Sequence, residues 1–285
     1  METALSRCAT QGVRKSRTRL RNVPLASLAC VAVWAGVVQP AAAQQTQSHL
    51  FDITKSGTLR VCMWPLYYSI SMRDPKTGEL VGIDADLSKE LAKDMGVKLQ
   101  VVETSFGTFI ADLQANKCDI GMFGVGATMK RAQAVEFSHP YLVTNVYAVL
   151  RDGGPIKTWA DIDKNGVTVT MTLGSYIEPF MRGYLKNATI NPVAPPSSVQ
   201  AELMSGRADV IMTDFPTALK MTKEFEGTKF LLPPEKLAVT PYAYVVPQGD
   251  QIWLNYVNLF VDTIKLDGRL AAAAAKFGLG PIVAQ

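Results

Sequence analysis

The chain has 285 residues, 48% hydrophobic and 19% charged, with a formal net charge of +4 at pH 7. That positive balance belongs to the first 43 residues. Without them, 242 residues remain with a net charge near −1, which excludes nucleic acid or an anionic membrane surface as a partner, since both need a basic face.

Arg14, Lys15, Arg17, Arg19 and Arg21 form a basic opening, followed by the apolar run Val23–Val38 and the small residues Ala41–Ala43 before Gln44. This is the tripartite layout of a secretory signal peptide over 1–43. Its 16 apolar residues fall short of the roughly 20 that span a bilayer, so an uncleaved anchor is the weaker reading. A lipoprotein reading around Cys30 is weaker still, because Ser27 stands where an aliphatic residue is expected. The sequence therefore predicts an exported, periplasmic protein, with a linker over 44–56.

Cys8 and Cys30 fall in the leader, leaving Cys62 and Cys118, 56 positions apart. The spacing matches no metal site; free buried thiols are the preferred reading and a disulfide is the alternative. With His49 and His139 as the only histidines, no metal cluster is expected, and no G-x-S-x-G motif advertises a nucleophile.

After the linker, TLRVCMW (58–64) reads as a strand. DADLSKELAKDMG reads as a helix begun by Asp84 or Asp86, with Leu87, Leu91 and Met95 on one face and Gly96 at its end. VKLQVVE, GTFIADLQANK and CDIGMFGV continue as strand, helix and strand, and a helix capped by Thr128 and carrying Arg131 is expected next. The second half repeats the pattern. A strand at 167–172 precedes the loop LGS and a helix over about 176–185. TINPVA reads as a strand, SSVQAELMSG as a helix capped by Ser197 or Ser198, and 208–214 as a strand leading to a helix near 217–225. A strand at 242–247 and helices at 252–265 and after DGRL complete the chain. Two α/β units of this kind imply two parallel-sheet lobes, and no cofactor is expected.

Ligands of parallel sheets sit beyond the carboxyl ends of the strands. The loops there are those after VCMW, at Gly124–Thr128 and at Leu173–Ser175, with Asp214 ending a fourth strand. Gly124-Val125-Gly126 is a weak dinucleotide signal, since Met129 stands at the third glycine position. An anion site made by free amides, the Thr128 hydroxyl and Arg131 fits better. A cation in the first turn opposes the helix dipole unless an anion joins it. Plainer alternatives are an Arg131 facing solvent, an Asp214 serving only as a helix cap and a Trp64 buried in the core.

The motifs GTLRV, GELVGIDADLSKELAKDMG, FIADLQANKCDIGMFGVGATMKRAQAVEFSHPY, LMSGRADVIMTD and DGRL occur in this order. In them the chain resembles the family 3 solute-binding proteins, periplasmic receptors of ABC importers for polar amino acids. The central pattern is T-x-x-R followed by F-S-x-P-Y, here Thr128, Arg131, Phe137, Ser138, Pro140 and Tyr141. The resemblance implies a type II periplasmic-binding-protein fold: lobe 1 from 57–147 and 242–285, lobe 2 from 148–241, with crossings near 146–150 and 239–244. It implies a monomer whose partners are a small amino acid or related acid and a separate permease.

By position, Arg131 would grip the ligand carboxylate with backbone near Gly126 and with Thr128 and Ser175, and Asp214 would take the ammonium. Trp64, Tyr67 and Phe106 fall at pocket positions, with Trp64 where a polar residue is usual and glycines 124 and 126 where hydroxyls are usual. An apolar or aromatic ligand follows from that substitution pattern. The rival class is an enzyme resembling cyclohexadienyl dehydratase, with Glu178 as general acid. A third is a ligand-sensing or accessory binding protein.

Overall fold

The structure, a computed structural model, describes residues 47–285; the proposed leader, with Cys8 and Cys30, lies outside them. The strand Thr58–Met63 is buried along most of its length and is an interior strand of the first sheet. It pairs in parallel with Lys98–Glu103 on one side (Thr58↔Lys98) and with Ile120–Gly121 on the other (Val61↔Ile120). Val245–Val246 and Glu136–Phe137 extend this sheet in antiparallel sense. The helix Ile83–Met95 links the first two parallel strands and ends at Gly96 with φ 67°, the left-handed conformation a glycine adopts freely. Its buried face includes Leu87 and Leu91, as the spacing predicted.

The second sheet runs in the order Thr189–Val193, Thr168–Thr172, Val210–Thr213, Tyr147–Arg151 and Thr228–Leu231. Its first three strands are parallel, and Tyr147–Arg151 is antiparallel to both its neighbours. Between the two sheets the chain passes twice, through Leu142–Thr144 and Thr240–Tyr242, which pair antiparallel with Thr144 opposite Thr240. The fold is α/β with two sheet-containing lobes, and the long helix Gln251–Leu266 buries Trp253, Val257, Phe260, Val261 and Ile264. The Trp253 indole N–H donates to Asp119 O at 2.8 Å, satisfying the one polar atom that this burial would strand. Among the described residues no helix is long and apolar enough to cross a membrane, and no cluster could hold a metal.

Three local expectations are corrected. Cys62 and Cys118 form a disulfide, with Cα atoms 5.6 Å apart, instead of two free thiols. Thr58–Met63 and Ile120–Gly121 are hydrogen-bonded neighbours, with Cys62 opposite Gly121. The segment entering the second strand therefore brings Cys118 to Cys62 despite the long separation in sequence. The helix expected at Thr128 is a single 3₁₀ turn, Arg131–Gln133. The residue at its cap position is Lys130, not Thr128; the Thr128 hydroxyl still accepts from Arg131 N at 3.3 Å, but a three-residue turn has too small a dipole to oppose an arginine. The strand expected over 242–247 is split between the crossing pair and the first sheet.

Candidate functional site

The cleft between the lobes is formed by loops that follow the parallel strands. Trp64 and Tyr67 follow Thr58–Met63, and Phe106 follows Lys98–Glu103. Ser175 and Tyr176 follow Thr168–Thr172, and Asp214 follows Val210–Thr213. Tyr242 joins them from the crossing pair.

Trp64, Tyr67 and Phe106 make one aromatic wall. Their ring centres lie 5.5 Å (Trp64–Tyr67), 5.1 Å (Trp64–Phe106) and 5.6 Å (Tyr67–Phe106) apart, tilted or edge-on, the separations at which aromatic pairs attract. Opposite them, Asp214 is 3% exposed. It caps the helix Phe215–Glu224 by accepting from Thr217 N at 3.2 Å, so the plainer reading of Asp214 holds in part. Its Oδ2 also accepts from the Tyr67 hydroxyl and, at 2.6 Å, from the Tyr242 hydroxyl. Burial first, and the Asp214 charge second, hold both phenols well above their ordinary pKa, so they stay proton donors.

Arg131 is 8% exposed and does not face solvent. Its Nη1 donates to Gly126 O at 2.9 Å, and its Nη2 donates across the cleft to Gly174 O at 2.9 Å. The guanidinium carbon sits 5.5 Å and 5.3 Å from the ring centres of Phe106 and Phe109. Burial pushes its pKa down to about 10, against the opposing pull of Tyr242, Tyr67 and Tyr176, so the group remains a cation near pH 7. Among the described residues it forms no salt bridge: its partners are neutral carbonyls and ring faces.

The predicted residues are therefore gathered, but not all on one surface. Trp64, Tyr67, Phe106, Ser175 and Asp214 line the cleft; Arg131, Gly126 and Thr128 are not among its lining residues. Glu178 is placed elsewhere. Its Oε2 accepts from Gly174 N at 2.8 Å and its Oε1 pairs with Arg182 at 3.0 Å, and it does not line the cleft.

Three contributors escaped the sequence reading. Tyr176 follows Ser175 directly, yet only the fold shows its ring over Gly126, where an added Cβ would lie 2.9 Å from Tyr176 Cδ1. Tyr242 was hidden inside an apparent strand. Asp84, taken as a helix starter, is fully buried and accepts from Gly124 N at 2.7 Å and the Tyr141 hydroxyl at 2.6 Å. It braces the glycine loop from below, and burial raises its pKa to about 7 in spite of those hydrogen bonds.

The profile of the bacterial extracellular solute-binding proteins, family 3, matches residues 59–280. Cyclohexadienyl dehydratase of Pseudomonas aeruginosa is 29% identical over 246 residues, 86% of this chain and 90% of that protein. The L-cystine-binding protein of Escherichia coli is 26% identical over 80% of this chain and 85% of that one. Among solved structures, an ancestral amino acid-binding protein described as a precursor of cyclohexadienyl dehydratase superposes with a TM-score of 0.75 at 32% identity, covering 81% of this chain and 99% of that one. The profile match, the two-lobed fold and loops gathered at strand ends agree, and the chain belongs to the bacterial extracellular solute-binding proteins, family 3.

Proposed function

We propose that this chain is a periplasmic receptor of an ABC importer, closing on an amino acid or related acid and presenting it to a permease. The observation that carries the reading is Arg131. A cation this buried is costly unless an anion joins it, and its two Nη groups hold carbonyls in the fork positions that a carboxylate fills with two oxygens. A ligand carboxylate entering between Gly126 and Gly174 supplies that anion. Backbone near Gly126, Thr128 and Ser175 support it, and the wall of Trp64, Tyr67 and Phe106 favours an apolar or aromatic remainder. In the α-amino acid mode Asp214 takes the ammonium, and Tyr67 and Tyr242 then give up their place on its Oδ2.

A thermal-shift screen against amino acids, 2-oxo acids and hydroxy acids tests this reading. A ligand at a hundred times its Kd stabilises by about 2.7 kcal/mol. The expected hits carry a carboxylate and an apolar or aromatic side chain; absence of stabilisation by every carboxylate removes the reading.

The similarity to the Pseudomonas dehydratase supports a second reading, elimination of water and carbon dioxide from a prephenate-like acid. Glu178 as its acid would have to leave both Gly174 N and Arg182. Release of phenylpyruvate from prephenate, lost in Glu178→Gln, would establish that activity; no product above the uncatalysed rate rejects it.

A further inference from the structure

The polar groups around the cleft are unbalanced. Asp214 is the only carboxylate among the residues lining it, and its oxygens are already taken. Oδ2 meets the Tyr67 and Tyr242 hydroxyls, while Oδ1 accepts from Thr217 N at 3.2 Å and Thr213 Oγ at 3.4 Å. A carboxylate offers about four acceptor sites, so this one is full. The buried side-chain atoms of the cleft that lack a partner are Trp64 Nε1, Ser175 Oγ and Tyr176 Oη. An indole N–H can only donate, while the two hydroxyls can donate or accept. The single acid is occupied, and one of the three spare groups can only donate.

Two glycines hold the tyrosines in this arrangement. A Cβ on Gly124 would lie 2.8 Å from Tyr67 Cε1 and 3.3 Å from the Tyr242 ring. One on Gly126 would lie 2.9 Å from Tyr176 Cδ1. The phenol rings thus occupy the space that side chains at these two loop positions would fill, and two of the three hydroxyls close on Asp214. The place beside the carboxylate that an ammonium needs is given over to rings and to proton donors.

We infer that the solute is a carboxylic acid carrying an oxo or hydroxyl oxygen where an amino acid carries its ammonium, with an apolar or aromatic remainder. The inference rests on the Arg131–carboxylate reading above and specifies what stands next to that carboxylate. An ammonium brings further donors and must displace two tyrosine hydroxyls from Asp214; Tyr67 can turn to the Tyr242 hydroxyl oxygen at 2.8 Å, but Tyr242 is left to find a new acceptor. An oxo or hydroxyl oxygen accepts from the spare donors and displaces nothing, and a buried donor gains most when its missing partner arrives.

Calorimetric titration of the purified protein with two matched series decides the matter: phenylpyruvate, phenyllactate and phenylalanine, and 4-methyl-2-oxopentanoate, 2-hydroxy-4-methylpentanoate and leucine. The oxo or hydroxy member of at least one series is expected to bind tenfold or more tighter than its amino member. Tighter binding of the amino member overturns the inference and leaves the receptor reading standing. Absence of binding throughout both series also overturns it, and the receptor reading falls as well only if the wider acid screen is equally silent.

The double variant Tyr67→Phe/Tyr242→Phe keeps both rings and frees Asp214 Oδ2. Its ratio of amino-acid to oxo-acid affinity is expected to rise at least tenfold. Equal weakening of both ligands would mean that the tyrosines only pack, and would overturn the inference.

Discussion

Gly126 offers a test of how the site is packed, because an added methyl has a defined destination. In Gly126→Ala the new Cβ lies 2.9 Å from Thr240 Cγ2, 2.9 Å from Tyr176 Cδ1 and 3.2 Å from Tyr176 Cγ. All three atoms belong to side chains held near the crossing pair, so relief requires movement of a buried ring. Overpacking of this kind costs about 1–3 kcal/mol. For a chain of this size that lowers Tm by roughly 2–12 °C. The backbone itself raises no objection, since Gly126 is not among the residues with positive φ. In the background Tyr176→Ala/Thr240→Ser, which removes the obstructing atoms, the same substitution is expected to be neutral or stabilising by about 0.4–1 kcal/mol through unfolded-state entropy. Thermal or urea unfolding of the four proteins in this cycle measures the change of sign. An equal penalty in both backgrounds would refute the claim that Gly126 exists to admit the Tyr176 ring.

Reduction of the Cys62–Cys118 disulfide, whose sequence separation is 56, opens a loop with a closure entropy worth about 4 kcal/mol. The reduced protein is expected to melt roughly 8–16 °C lower, measured by scanning with and without reductant; an unchanged Tm would speak against the bond. Asp84 gives a pH dependence. Its folded pKa of about 7 lies above the ordinary value of 3.8 because of burial, so folding takes up a proton between about pH 4 and 7 and stability falls as pH rises through that window. In Asp84→Asn the decline of Tm between pH 4 and 7 is expected to flatten, and an unaltered slope would assign it to other groups.

The alternation of strand, loop and helix was readable because each amphipathic helix carries its own period and each parallel strand its own apolar run. Arg131 and Asp214 were singled out for a similarly local reason, since both lie in segments that follow a strand at its carboxyl end. The account of Arg131 rested on a helix that does not form: a threonine three residues before an arginine accepts its N–H at a 3₁₀ turn as well as at a helix. The disulfide was missed because strand order, which brings Cys62 and Cys118 together, is not written in their spacing. The tyrosine cluster was missed for a different reason. Gly124 and Gly126 announce missing side chains, but the rings that fill the space come from positions 67, 176 and 242, and no local pattern connects them. Glu178 had the opposite fate: a first-turn glutamate has a structural use at its own helix, and it holds Gly174 N and Arg182 there.

The central claim is that a buried, unpaired guanidinium waits for a ligand carboxylate. Its most direct test is the affinity of Arg131→Ala and Arg131→Gln for the tightest ligand of the acid panel, by calorimetry on protein whose fold is verified by circular dichroism. Both variants are expected to lose about 2–5 kcal/mol of binding, the cost of removing one partner of a desolvated charge pair. Folded variants that bind with affinity close to that of the parent protein would contradict the account.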